Sequence, residues 1–198
     1  MMMDRGKKEA GTGKHGGKLE VLKIAWPLII STASFSAMQF CDRAFLAHYS
    51  GDAIRAAVPA SILAFTFICG FRALVAYANA FVAQYYGAGQ YRNCSLVTIQ
   101  SIILSFLLLP VICALIPVGR AFLKLADHPP AVLAYELEYF TILLLGSFTS
   151  LLGIAAASFF IGRGRTLVLM AAILAGNTVN IILDYVLIFG KLGLPPMG

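Results

Sequence analysis

Two aspartates stand in stretches that are otherwise oily, Asp42 in SAMQFCDRAFLAHY and Asp184 in NTVNIILDYVLIFG. Around Asp184, Asn177 and Asn180 complete an i, i+3, i+7 series that puts all three residues on one face of a helix. Gln39 precedes Asp42 by three residues and falls on the matching face of its own segment. Brought together, these groups would surround a small volume with side-chain oxygens. Such a set suits a hard cation or a proton held between carboxyls. A quieter role for the same residues is a hydrogen-bonded seam between membrane helices.

The elements that must position them follow from composition. The chain is 60% hydrophobic and 12% charged, with a mean hydropathy of +0.84, against roughly 45–50% apolar and 25% charged residues in soluble domains. This marks an integral membrane protein. Stretches of the roughly 20 apolar residues needed to cross about 30 Å of hydrocarbon run approximately over 24–46, 55–82, 95–117, 135–161 and 166–189. Lipid leaves no partner for open backbone groups, so the spans are helices, and they lack the alternation of barrel strands. The fold class is therefore all-α, with five transmembrane helices. Spans one and five run in the same direction, and each aspartate lies about 18 residues along its span. At about 1.5 Å per residue both sit about 27 Å up, so the two carboxylates share a depth.

Residues 1–19, rich in Gly and Lys, read as a disordered basic tail, and 20–198 as the membrane unit. The first apolar run is too long for a secretory signal. Arg5, Lys7, Lys8, Lys14, Lys18 and Lys23 fall on one side with Arg92, Arg163 and Arg165, and Arg43, Arg55, Arg120, Lys124 and Lys191 on the other. That bias predicts a multi-pass protein with a cytoplasmic N-terminus. The net charge of +6 then points to anionic lipid headgroups, and no interleaved aromatic and basic face suggests nucleic acid.

Other polar residues have simpler readings. Arg72 lies in the inner third of span two, where its stem can reach toward headgroups, with a cavity-facing role as the alternative. Glu136 and Glu138 follow Pro129 and Pro130 in the first turns of span four, where the helix dipole and interfacial water accommodate them. Cys41, Cys69, Cys94 and Cys113 show no C-x-x-C spacing and read as buried free thiols. His15, His48 and His128 are too scattered to suggest a metal site.

Two functional classes use paired membrane carboxylates. The first is an ion-coupled transporter, because moving one charge through 100 mV carries about 2.3 kcal/mol. The second is an intramembrane aspartyl protease with an acid–base dyad. Such proteases have Tyr-Asp on one helix and Gly-x-Gly-Asp on another. Here the orders are Cys41-Asp42 and Leu183-Asp184-Tyr185 with no preceding glycine, so no catalytic residue is assigned.

Several stretches resemble the multidrug and toxic compound extrusion (MATE) transporters. MQFCDRAFLAHYSGDAIRAAVPA is similar to that family's first helix and outer loop, FVAQYYGAGQ to the end of its second helix, and GRGRTLVLM with GNTVNIILDYVLIFGKLGLPPMG to its fourth inner loop and fifth helix. The resemblance implies an antiporter in the cell membrane, built from two six-helix lobes, that exports drugs or organic cations in exchange for H⁺ or Na⁺. It implies that Asp42, Asn180 and Asp184 form the coupling site, with Gln39, Asn177 and Arg72 secondary. No cofactor is implied, and no metal beyond a Na⁺ at that site. The 198 residues correspond to most of one six-helix lobe of a twelve-helix protein. On that expectation the isolated chain is inactive unless a second chain supplies the missing helices. A glycolipid or polysaccharide flippase of the same superfamily, or a truncated remnant, is the alternative.

Overall fold

The computed structural model describes residues 18–126 and 128–190. Most of the basic tail, and Lys191 to Gly198, lie outside the described residues. Six helices follow in order: α1 (Lys18–Tyr49), α2 (Gly51–Ala76), α3 (Ala78–Gly87), α4 (Tyr91–Leu125), α5 (Pro130–Gly162) and α6 (Thr166–Ile188). Helices α2 and α3 together make one apolar length, Gly51–Gly87, so five segments are long and apolar enough to cross a bilayer. Helix α1 begins inside the stretch assigned to the tail, the second, third and fourth spans overrun the expected limits by up to about two turns at an end, and α6 keeps its limits to within one residue. No glycine or proline marks the break at Tyr77 in the surrounding FRALVAYANA. The chain stays helical there, with φ −61° and ψ −23°, and Tyr77 N–H still donates to Ala73 O at 3.0 Å.

The ends of the helices are written in short-range chemistry. Ser50 caps α2, its hydroxyl accepting from Ala53 N–H at 3.4 Å, which satisfies one of the otherwise orphaned donors. Pro129 is extended (ψ 139°) and Pro130 opens α5, where a missing N–H costs nothing. Gly89 (φ 72°) and Gly164 (φ 69°) turn the chain after α3 and α5. Only glycine adopts that left-handed backbone without penalty. Along the spans, Ser31, Thr32, Ser61, Thr66 and Thr98 return their hydroxyls to the carbonyl four residues back, which leaves few polar groups facing lipid.

The helices form two groups. Helix α5 packs along α2, α3 and α4, while α1 packs chiefly against α6 and reaches α2 less extensively. The buried core belongs to the first group: Ala60, Ala64, Ile68 and Val75 from α2, Ile112 and Leu123 from α4, and Phe140, Leu144, Leu151 and Ala155 from α5. Alanines on α2 let the α5 backbone approach, which is how helices associate without a hydrophobic driving force in lipid. Phe140 is fully buried and sits against Gly119 of α4. A Cβ at Gly119 would lie 2.0 Å from the Phe140 ring tip. We therefore predict that Gly119→Val destabilises the detergent-solubilised protein by about 1–3 kcal/mol in thermal unfolding, and that adding Phe140→Leu recovers part of the loss. An unchanged midpoint in the single variant would contradict this packing.

Candidate coupling site

Helices α1 and α6 run in the same direction side by side, and their facing residues define the site. The carboxyl groups of Asp42 and Asp184 are within hydrogen-bonding reach of each other. Asp42 Oδ1 and Asn180 Oδ1 are both buried with no hydrogen-bond partner. Unsatisfied acceptors of this kind are rare in folded proteins and call for a proton or cation. Asn177, one turn before Asn180, donates its Nδ2 to Ser34 Oγ at 2.9 Å and so ties α6 to α1.

Just beyond the carboxyls, Phe45 of α1 packs edge-on against Tyr185 and Phe189, with ring centroids 5.9 Å apart in each case. Tyr185 and Phe189 lie 5.3 Å apart. These rings fix the spacing of the two helices next to Asp42 and Asp184, and aromatic pairs in such geometry add to simple contact. A cleft of about 280 Å³ opens between α1, α2, α5 and α6, with Leu46 and Ile188 on one wall and Tyr135, Glu138 and Tyr139 on the other. Leu46 and Ile188 each stand one helical turn outward of an aspartate, so the cleft lies next to the pair.

The remaining candidates are elsewhere. Gln39 is exposed and has no hydrogen bond among the described residues. Arg72 does not extend to the headgroups as expected; its Nη1 donates to Ser150 Oγ across the α2–α5 seam. Those helices pack face to face along their length, so a hydroxyl on α5 is nearer than the membrane surface. Glu136 is a second correction. It is fully buried because α5 turns the i+4 series Val132, Glu136, Phe140 and Leu144 inward. His128 Nδ1 lies 2.7 Å from Glu136 Oε1, although the orientation leaves neither atom a well-aligned hydrogen bond. The eight-residue separation of His128 and Glu136 gave no sign of this meeting. Of the thiols, Cys94 is buried, Cys41 half-buried, and Cys69 and Cys113 exposed. Exposure to lipid rather than to the core satisfies an apolar side chain equally well.

The chain is a bundle of long apolar helices that holds two half-buried aspartates beside a cleft. The chain belongs to the MatE family, whose family model matches residues 27–186. It is 29% identical over 180 residues to a probable multidrug resistance protein NorM of Oceanobacillus iheyensis, covering 88% of this chain and 39% of the relative. It is 27% identical to the multidrug resistance protein NorM of Vibrio cholerae, covering 99% of this chain and 41% of that one. Identity to the multidrug resistance protein PmpM of Pseudomonas aeruginosa is 29%, over 90% and 38% of the two chains. The chain thus spans about two fifths of the length of the curated relatives it matches. A solved MOP superfamily transporter from Pyrococcus furiosus, for which a binding pocket of reversed polarity suggests a different function, shares the fold. Its TM-score is 0.76 at 18% identity, over 88% of this chain and 39% of that one.

Two measurements probe the contacts around the site. In a double-mutant cycle of Asn177→Ala and Ser34→Ala, we expect a coupling of about 0.6 kcal/mol, the usual size for a polar contact between membrane helices. Additivity within error would remove that contact. At the buried glutamate, His128→Ala is expected to lower the thermal midpoint by leaving the carboxyl alone, and His128→Ala with Glu136→Leu to restore it. A double variant no more stable than the single one would show that the pair is not what the histidine supports.

Proposed function

We propose that this chain carries the ion-coupling site of a multidrug antiporter that exports organic cations or amphipathic drugs in exchange for H⁺ or Na⁺. The observation that supports this most directly is the meeting of Asp42 and Asp184 across α1 and α6, with Asn180 Oδ1 buried and unpartnered beside them. Two carboxyls in contact repel unless a proton or a cation lies between them. Asp42, Asn180 and Asp184 therefore bind the coupling ion in this reading. Asn177 holds the helix that presents two of the three, and Gln39 and Arg72 lie outside the pair. The family and the multidrug resistance names of its relatives support the direction and class of cargo.

Transport needs more than these five spans. Alternating access arises when one repeat moves against another around a fixed site, and the relatives are more than twice as long as the matched region. Further helices, from the same protein or from a second chain, are part of the working transporter. The membrane is the cell membrane, with the end that bears Lys23, Arg92, Arg163 and Arg165 on the cytoplasmic side. A flippase for anionic glycolipids would call for cationic groups at the cavity. Here the charged residue of the cleft wall is Glu138, and Arg72 is engaged by Ser150.

The experiment is ion-driven efflux of a fluorescent organic cation from cells or vesicles that contain the full transporter. We expect Asp42→Asn and Asp184→Asn each to reduce it by more than about tenfold, in keeping with the roughly 2.3 kcal/mol carried by one charge through 100 mV, while expression and helical content stay normal. Unchanged efflux in both variants would refute the assignment. Vesicles holding only the 198-residue chain are expected to show no ion-dependent uptake, and robust uptake would refute the need for a second lobe.

A further inference from the structure

The opposite end of the bundle holds an arginine that has no acceptor among the described residues. Arg163 caps the C-terminus of α5, and its guanidinium carbon lies 4.7 Å from the centroid of the Phe159 ring and 5.5 Å from that of Tyr86 on α3. Tyr86 in turn packs against Tyr91 at the start of α4, with centroids 5.4 Å apart. The arrangement depends on a close approach of α5 to α3. A Cβ on Gly162 would stand 2.7 Å from the Val82 side chain and 2.9 Å from Asn79 O, so only glycine brings Arg163 this near to Tyr86.

Packing against rings holds a guanidinium by its flat faces and leaves the N–H edge for an acceptor. No described carboxylate supplies one, since the ion pairs among the described residues are Arg55–Asp52 and His128–Glu136, both at the other end. Arg163 is half-exposed; its Nε is buried without a hydrogen-bond partner among the described residues, which leaves the two terminal nitrogens as the edge that can meet an outside acceptor. Lys23, Arg92 and Arg165 are exposed at the same end of the antiparallel bundle, and no carboxylate among the side chains described there offsets them. A fork of donors is thus set among the positive charges of Lys23, Arg92 and Arg165, at the end where five membrane spans meet the headgroup layer.

We propose that Arg163, with the ring of Tyr86 as its support, binds the phosphate of an anionic phospholipid, and that the charge of Arg92 and Arg165 beside it repels the choline of a zwitterionic headgroup, so that phosphatidylcholine leaves the site empty. The two N–H groups of a guanidinium edge match two phosphate oxygens. Tyrosine rings are suited to the interface at which that phosphate lies. Anionic lipid is abundant in the leaflet that the positive-inside bias makes cytoplasmic. The site is independent of the carboxyl pair and of transport.

The test is thermal unfolding of the purified chain in nanodiscs of phosphatidylcholine, alone or with phosphatidylglycerol. The wild type is expected to gain several degrees from phosphatidylglycerol. Arg163→Gln is expected to unfold as the wild type does in phosphatidylcholine but to lose most of that gain, and Arg55→Gln, at the other end, to keep it. Inorganic phosphate added to phosphatidylcholine discs is expected to give no gain; an equal gain would mean a soluble anion and overturn the proposal. So would a gain that survives Arg163→Gln, or a variant that falls equally in both membranes, which would make Arg163 only a staple between α3 and α5. Should Arg163→Gln fail to insert, Arg163→Lys decides. A reduced gain supports the forked contact, and a gain equal to the wild type overturns it.

Discussion

The meeting of Asp42 and Asp184 constrains this molecule more than any other contact. A carboxylate stem is too short to reach the headgroups from within a helix, so neither aspartate can escape to water by bending its side chain. Each must find its partner inside the protein. The order of the spans already makes α1 and α6 parallel, and the contact fits them at one depth and in one rotational setting. The neighbouring residues serve the same setting: Asn177 bonds to Ser34 on one side of the carboxyls, and Phe45 packs on Tyr185 and Phe189 on the other. A polar contact and an aromatic one bracket the pair and keep it from drifting.

Arginine follows a different rule in the same bilayer. Arg72 and Arg163 both have long stems and several donors, and each lies against side chains of a neighbouring helix. Arg72 spans the α2–α5 seam to a serine hydroxyl. Arg163 lies on rings from two helices. Stem length explains the contrast with the aspartates, because a residue that can choose among several acceptors does not dictate where its helix runs. It takes the acceptor that helix packing brings near.

This difference accounts for what could be read from the sequence. Five apolar runs of sufficient length, and the shared depth of Asp42 and Asp184, follow from one-dimensional spacing and a helix rise, and the structure has both features. The partners of Arg72, Glu136 and Arg163 depend on how one helix is rotated against another, which no single segment encodes. Glu136 shows the limit clearly. Its place two residues from Glu138 suggested two similar interfacial acids, yet a rotation of about 200° between i and i+2 sends one into the α5 core and the other to the cleft wall. A signal was present in the i+4 series Val132, Glu136, Phe140 and Leu144, where the glutamate occupies an apolar position.

The two groups of helices also differ in how firmly they are held. Buried apolar side chains of α2, α4 and α5 interlock, and Phe140 against Gly119 leaves no room for adjustment. Helix α6 buries only Thr166 at its start, and α1 buries only Pro27 and Ser31 among its described side chains. The carboxyl pair therefore lies in the part of the bundle with the least interlocked packing, while α2 and α5 of the stiff trio form the opposite wall of the cleft. Local stability follows buried contact, so a change in charge between Asp42 and Asp184 acts on the two helices that can shift at least cost. On the proposed function, a coupling ion in the interlocked trio would have to disrupt a core to move anything. Between α1 and α6 it would need only to alter the spacing that two carboxyls, one amide-to-hydroxyl hydrogen bond and three rings maintain.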